Sequence, residues 1–412
     1  MKRIIMMTAL AVQFGVVPCW AASNEDLAAQ VGELIEQNRV LLERVAALEE
    51  RVAGQAQPAG AASPQEQRKE SEAGSDTAKQ EGEEQSLARM INDRVELGGL
   101  VEVEAVTEED FADEESSDVS LATVELSFDA RISDWSSAHL LLLYEEGEED
   151  NHVIVDEGTI TLGNEEEFPV VLTAGKMYLP FGLYESNMVS DTLPLEIGEI
   201  NDTAVLAGFR LAGLRGGVHV FNGDVNEAGE SDRIESWGAS VGYSYEGETF
   251  SLETGLDWLS NIGDTNGLGD YLEENTGAAE MAEYVDGLGA HLLLQYGPFA
   301  LIAEYIGALD EFAAAEIAFA GSGAQPEAWS LEAGWTFDLL QRETVFSVSW
   351  QGTAEAQALG LPEDRYLAAI RMMILANTSL AIEYRHDEDY ASADDGTGES
   401  SDAAALQLAV EF

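Results

Sequence analysis

The chain has one cysteine, Cys19, among 412 residues. A lone cysteine near the start leaves the rest of the molecule without any possible internal disulfide. Basic residues are also scarce, 19 Lys and Arg against 79 Asp and Glu, for a formal net charge of −60. Nucleic acid is excluded as a partner, because little here could neutralise phosphates. After the first residues no uninterrupted apolar run reaches the roughly 18 residues that a helix needs to cross a bilayer. A helical inner-membrane protein is not expected. The five histidines, His139, His152, His219, His291 and His386, show no ligand spacing. There is no Gly-x-Ser-x-Gly elbow, phosphate loop or cysteine site. These absences point away from an enzyme, a cofactor or a bound metal. Asp264 to Asp270 offers oxygen ligands near calcium-loop spacing but lacks the closing Glu. It reads as a flexible acidic loop.

Three segments precede the main body. Residues 1–21 read as a signal peptide: Lys2 and Arg3, then an apolar stretch from Ile4 to Val17, then Cys19-Trp20-Ala21 with small residues at −3 and −1. A lipid-modified Cys19 fits less well, since Pro18 precedes it. Residues 22–53 carry heptads, with Leu27, Leu34, Leu41 and Leu48 at d and Val31, Asn38, Val45 and Val52 at a. β-Branched residues at a with Leu at d describe a coiled coil of few strands, and a buried Asn38 would fix its register. A homo-oligomer through this segment on the periplasmic side is expected; a lone amphipathic helix is the plainer alternative. Residues 54–93 are rich in Gln, Ala, Glu, Gly, Ser and Pro and read as a flexible linker.

From Arg94 to Phe412 the pattern is different. Short runs of alternating apolar and polar residues recur about every 20 residues, and about sixteen can be counted. Tight connections, such as Ser133–Asp134, Gly163–Asn164, Ala212–Gly213 and Ala376–Asn377, alternate with long acidic ones. Short turns on one side and long loops on the other describe an all-β transmembrane barrel of about 16 antiparallel strands. The last run, Leu406, Leu408, Val410 and Phe412, is a strand with one greasy face. A strand that ends on Phe resembles the closing strand that the barrel-assembly machinery reads. It must pair with the first strand to leave no open edge in lipid.

Alternation also sorts the faces. Val205, Ala207, Phe209 and Leu211 oppose Arg210, and Phe250, Leu252, Leu256 and Trp258 oppose Glu253 and Asp257. Ile370 and Met372 oppose Arg371, Ile382 and Tyr384 oppose Glu383 and Arg385, and Val101 and Val103 oppose Glu102 and Glu104. A charge facing lipid near the midplane costs about 2–4 kcal/mol, so the charged sets are assigned to the lumen. Arg210, Arg371 and Arg385 are candidates for an anionic ligand or for cross-lumen pairing with carboxylates. Pairing is the more ordinary role.

One connection stands apart. Residues 175–199 run Gly-Lys-Met-Tyr-Leu-Pro-Phe-Gly-Leu-Tyr-Glu-Ser-Asn-Met-Val-Ser-Asp-Thr-Leu-Pro-Leu-Glu-Ile-Gly-Glu. It is apolar and contains two prolines, which cannot donate to a ladder. It is expected to fold into the barrel or over its mouth as a constriction. Lys176, Tyr178, Phe181, Asn187, Asp191, Glu196 and Glu199 are its candidate ligand-facing residues. The Gly-Lys-x-Tyr-x-Pro-Phe-Gly run, the Ser-Asn-Met-x-Ser-Asp after it and the closing Leu-Glu-x-Gly-Glu resemble the LbtU family of siderophore porins. That resemblance implies a bacterial outer-membrane porin that takes up ferric siderophores without a plug domain. The Pro-Phe-Gly run also resembles phosphate-selective porins, although one lysine and nine arginines from Arg94 onward are few for a phosphate ladder. The alternatives are a general or cation-preferring diffusion porin and a barrel that tethers the envelope. Outer-membrane lipid, the assembly machinery and either a ferric siderophore or small solutes are the expected partners.

Overall fold

In the computed structural model, residues 94–146, 152–165, 167–229, 233–276 and 280–412 are described. The leader, the heptad segment with Asn38 and the linker lie outside the described residues. The strands of the barrel are β1 (Val95–Glu109), β2 (Glu115–Ser133), β3 (Ser136–Tyr144), β4 (Ile154–Gly163), β5 (Val170–Tyr178), β6 (Asn201–Leu211), β7 (Leu214–Phe221) and β8 (Ser236–Glu246). They continue as β9 (Phe250–Leu259), β10 (Gly287–Tyr296), β11 (Phe299–Ala308), β12 (Glu327–Leu339), β13 (Arg342–Ala354), β14 (Asp364–Leu375), β15 (Thr378–Glu388) and β16 (Ser400–Glu411). Each pairs antiparallel with its neighbour, and β16 returns to β1 to close the barrel. The seam is in register at Leu100–Glu411 and Glu104–Gln407, and Phe412 and Gly99 exchange backbone hydrogen bonds of 2.9 and 3.0 Å.

The tight connections have the backbone that two-residue hairpins require. Leu340 and Gln341 both have positive φ, 54° and 63°, as do Ala212 and Gly213, 53° and 86°. One expected tight turn is longer: β4 ends at Gly163 and β5 begins at Val170, so Asn164–Pro169 forms the connection. Its backbone is held by Phe168 donating to the Asn164 carbonyl at 2.8 Å.

Strand register fixes which side chains share a face. Glu383 pairs with Ala405, Arg371 with Ala381, and Leu206 with His219 and then Gly238. Along these rows, every charged residue assigned above to the lumen lies opposite in parity to exposed Val205, Phe209, Leu256, Ile382, Leu406 and Leu408. The apolar outside is the face that hydrocarbon can cover.

The long connections carry structure of their own. Helix α1 (Leu193–Gly198) follows β5, and helix α2 (Asn266–Thr276) follows β9. Thr192 caps α1, its hydroxyl accepting from the Leu195 amide at 3.3 Å, and Pro194 sits in the first turn, where a missing N–H costs nothing. The stretch read as an acidic calcium-like loop is instead a short turn at Ile262–Asp264 leading into α2. Leu268 and Leu272, one turn apart, bury one face of α2. They join Phe181, Leu193, Ile197, Ile262, Phe312 and Ile317 in an apolar core at the long-loop end.

Candidate functional site

The segment between β5 and α1 has no regular secondary structure, so its amides need partners from elsewhere. Carboxylates on the inner wall supply them. The Gly182 amide donates to Asp257 Oδ2 on β9 at 3.2 Å. Leu183 and Tyr184 donate to the two oxygens of Glu304 on β11, at 2.6 and 2.8 Å. The Ser186 hydroxyl and the Asn187 amide and side chain all donate to Glu332 on β12, the shortest at 2.6 Å. Val189 and Ser190 donate to Glu383 on β15, at 2.5 and 3.1 Å, and the Ser190 hydroxyl adds a third bond. The Leu193 amide donates to Gln351 on β13 at 2.9 Å.

Arginines treat the carbonyls of the same segment in the complementary way. Arg365 donates to the Asp191 carbonyl at 3.2 Å, and Arg371 lies 3.4 Å from the Met188 carbonyl. Arg365 is also locked bidentate on Asp387, at 2.8 and 3.1 Å. Arg385 bridges Asp387 at 3.2 Å and Glu108 on β1 at 2.8 Å. Loop 179–192 thus rides along the wall as a strand would, except that side chains replace the partner backbone.

The Pro-Phe-Gly run makes this crossing possible. Phe181 is wholly buried in the apolar core. Gly182 has φ of +90°, and a Cβ there would fall 2.4 Å from the Tyr184 ring. The Tyr184 hydroxyl donates to the Phe181 carbonyl, which closes the turn.

The candidate residues divide into groups. Asn187, Asp191, Asp257, Glu383, Arg371 and Arg385 meet in the anchoring of this loop. Glu104 accepts from Gln407 across the β1–β16 seam at 3.0 Å, with Glu102 beside it on the same face. Arg210 sits at the tight-turn rim, exposed, 3.6 Å from Glu165. Lys176 keeps the outward parity of Leu172 and donates to the Val155 carbonyl at 3.2 Å, apart from the others. The Tyr178 hydroxyl rests on Asp156 at 3.1 Å. Glu304, Glu332, Gln351 and Arg365 complete the anchoring and were not among the sequence candidates.

On the other side of the loop lies a cavity of about 650 Å³ between the loop and the wall of β6 to β10. Arg215, Glu253 and His291 line it. Arg215 is paired with Glu253, and its other nitrogen lies 3.2 Å from His291 Nε2. His291 Nδ1 lies 3.5 Å from Asp257, so the loop anchor and the cavity floor share one carboxylate. Glu199 lines the opposite side and accepts from Asn266 at 3.2 Å. Burial, with the Asp191 and Asp156 carboxylates adding to it, raises Glu199 to about 7. Burial and the Asp191 carboxylate raise Glu196 to about 7 as well. Among the described residues no three His, Cys, Asp or Glu side chains converge as a metal site.

No protein-family model matches the chain. It is 29% identical over 313 residues to a UPF0422 protein of Coxiella burnetii, covering 74% of this chain and 66% of that one. A UPF0422 protein of Legionella pneumophila is 28% identical over 337 residues, covering 72% and 62%. The chain therefore spans less than two thirds of the length of these curated relatives. Among solved structures, the outer membrane channel DcaP of Acinetobacter baumannii covers 77% of this chain and 97% of its own at 13% identity, with a TM-score of 0.52. An anion-selective porin from Comamonas acidovorans covers 77% and 99% at 12% identity and 0.54. OprB of Pseudomonas putida covers 79% and 96% at 9% identity and 0.54. At these identities the likeness is one of fold: a 16-stranded porin barrel.

Proposed function

We propose that this chain is an outer-membrane channel that passes small water-soluble solutes, cations in preference to anions, past the loop at residues 179–192. The observation that carries the reading is the loop itself. It lies against the inner wall rather than over solvent, and it is fastened there by side chains of β9, β11, β12, β13, β14 and β15. A fastened loop inside a barrel narrows a passage without closing it. The cation preference follows from charge. The anchoring arginines are tied to carboxylates or to loop carbonyls, whereas Glu125 and Glu157 on β2 and β4 fall in the inward register of a wall that has few bases. An acidic lumen concentrates cations and repels anions.

The finer reading, uptake of ferric siderophores, rests on the resemblance of residues 175–199. Those residues have another duty here. Phe181, Gly182, Asn187 and Asp191 place and fasten the loop, so their pattern reports loop architecture before it reports cargo. A diffusion channel fits the same geometry equally well. Closure of the barrel by the assembly machinery and oligomerisation through residues 22–53 belong to the same proposal.

The test is the reversal potential of the refolded chain in planar bilayers across a potassium chloride gradient. A potential of the sign set by potassium is expected. Anion selectivity, or a barrel that carries no current, would sink the reading. Growth on ferric siderophore with and without the gene separates the two cargo readings, since a diffusion channel leaves that growth unchanged.

A further inference from the structure

The cavity between the loop and β6 to β10 has a construction that the loop anchoring does not require. Three inward positions of its wall are glycines. Gly208 on β6, Gly217 on β7 and Gly242 on β8 all fall in the inward register, Gly208 paired to Gly217 and Gly242 paired to Arg215. Arg215 lies flat over Gly242, where a Cβ would meet its Nε at 2.9 Å. A Cβ on Gly208 would make only ordinary contacts, 3.6 Å to Val171 and 3.7 Å to the Gly216 carbonyl, so a side chain can be added there without a clash. The side nearest the loop is apolar, with Leu183, Tyr184 and Leu195. About 650 Å³ lies within the range of small-molecule sites, roughly 300–1,000 Å³.

The charges select the occupant. Arg215 is committed to Glu253 and its guanidinium also meets His291. At the rim Arg210 faces Glu165. Glu199 receives a neutral amide donor, Asn266, and among the described residues no Lys or Arg forms an ion pair with it. Asp257 accepts from the Gly182 amide and lies 3.5 Å from His291 Nδ1, so Glu165, Glu199, Glu253 and Asp257 line the cavity against two guanidinium groups, Arg210 and Arg215. The enclosed space is therefore negative on balance and apolar on one side. An anion entering it would meet two carboxylates and no free guanidinium.

We propose that this cavity is a binding site for a small organic cation with an apolar body, an aliphatic or aromatic ammonium. The body lies between the glycine-bared wall and Leu183 and Leu195, and the ammonium faces Glu199. The inference rests on the channel reading only in placing the cavity on the path of solutes.

The full chain, refolded in detergent micelles, is titrated calorimetrically with phenethylammonium and, separately, with 3-phenylpropionate, its near-isosteric anion. The titration is run at about pH 8.5, where a group at about 7 such as Glu199 is ionised. Phenethylammonium is expected to bind at least about tenfold more tightly than the anion. Glu199→Gln should lose at least about tenfold of the cation's affinity, and Glu199→Asp should keep most of it. Gly208→Leu, whose Cβ meets its neighbours at no less than 3.6 Å, puts bulk on the cavity wall and should weaken phenethylammonium whether or not Glu199 variants fold; heat-modifiable electrophoretic mobility reports folding. Glu253→Gln frees Arg215 and should narrow or invert the preference. Equal or tighter binding of 3-phenylpropionate to the unaltered chain would overturn the site, as would full phenethylammonium affinity in folded Gly208→Leu. Calorimetry needs no current. Cation binding by a barrel that proves anion-selective overturns the channel reading alone, and cation-selective current without phenethylammonium binding overturns the site alone.

Discussion

Removing the wall carboxylates that hold the middle of the loop should free it without opening the barrel. Glu383 is nearly inaccessible and accepts from the Val189 amide at 2.5 Å, the Ser190 amide at 3.1 Å and the Ser190 hydroxyl at 2.5 Å. A hydrogen bond to a charged group contributes about 1.5–3 kcal/mol, and an orphaned buried amide costs about 1–3 kcal/mol. Glu383→Gln keeps one carbonyl acceptor in place, so the expected loss is about 1–2 kcal/mol. Glu383→Ala orphans two amides and should cost about 3–5 kcal/mol. Glu332 holds the neighbouring Ser186 and Asn187 in the same way. With both carboxylates gone, the polar contacts left between residues 186–190 and the wall, among the described residues, are the long ones to Arg371 and Arg385, at 3.4 and 3.5 Å, beside the packing of Met188 on Leu367 and Ala369. The ladder that closes the barrel is untouched, because no β-strand hydrogen bond passes through either side chain. Single-channel recording is the direct assay, with limited proteolysis of the loop as its companion. Glu332→Ala with Glu383→Ala should raise conductance, add gating noise and expose residues 186–190 to protease, while heat-modifiable mobility stays that of a folded barrel. Unchanged conductance and full protease protection in the folded double variant would refute the idea that these carboxylates hold the loop.

Four further outcomes follow from other parts of the molecule. Glu196 and Glu199, both raised to about 7 by burial, bind protons that the unfolded chain would already have released, so stability should fall as pH rises from about 4.5 to about 7. Their loss of charge on the way down should weaken cation selectivity between about pH 8 and pH 5, read as a reversal potential moving toward zero. Arg365→Met leaves the inaccessible Asp387 with Arg385 alone and should lower the barrel's thermal midpoint by the equivalent of about 3 kcal/mol, whereas Arg365→Met with Asp387→Leu should recover most of it. Gly99→Val would bring a Cβ within 2.4 Å of the Phe412 ring, so the closing strand should seat poorly and the folded fraction recovered from membranes should drop.

The barrel could be read from residues because one face of each strand is fixed by lipid. A period of two is then enforced residue by residue, and Glu383, Arg385, Arg371, Glu253 and Asp257 stand out against Ile382, Ile370 and Leu256. The signal fails where the inner wall is itself covered. On β11, Ile302, Glu304 and Ile306 share the inward face, because Ile306 belongs to the apolar core that also holds Phe181 while Glu304 receives the loop. Apolar residues then lie on both faces and alternation disappears, which is why Glu304 went unread. The helix at Asn266–Thr276 was masked by its composition: Gly267, Gly269 and Asp270 resemble a turn, and only the pair Leu268 and Leu272 betrays a buried face. The partners of the loop could not be read at all. Gly182 meets Asp257 across 75 residues and Val189 meets Glu383 across 194, distances that no local pattern encodes.

The same anchoring changes how a net charge of −60 should be understood. A lumen full of carboxylates invites the view that each one filters ions. On β9, β11, β12 and β15 they do something else: Asp257, Glu304, Glu332 and Glu383 are acceptors for amides that would otherwise be buried without partners. Glu304, Glu332 and Glu383 each accept from two N–H groups, the last two from a serine hydroxyl as well, and Asp257 accepts from one, while Arg365, Arg371 and Arg385 stand among them. The field that a permeating ion feels is therefore set less by Glu304, Glu332 and Glu383 than by other inward carboxylates, Glu125 and Glu157 on β2 and β4 and Asp257 and Glu199 at the cavity. Neutralising Glu125 and Glu157 together should shift the reversal potential with little effect on loop protection, whereas neutralising Glu332 and Glu383 should do the reverse. If both pairs move selectivity and protection alike, the division between carboxylates that hold the loop and carboxylates that meet the solute does not exist.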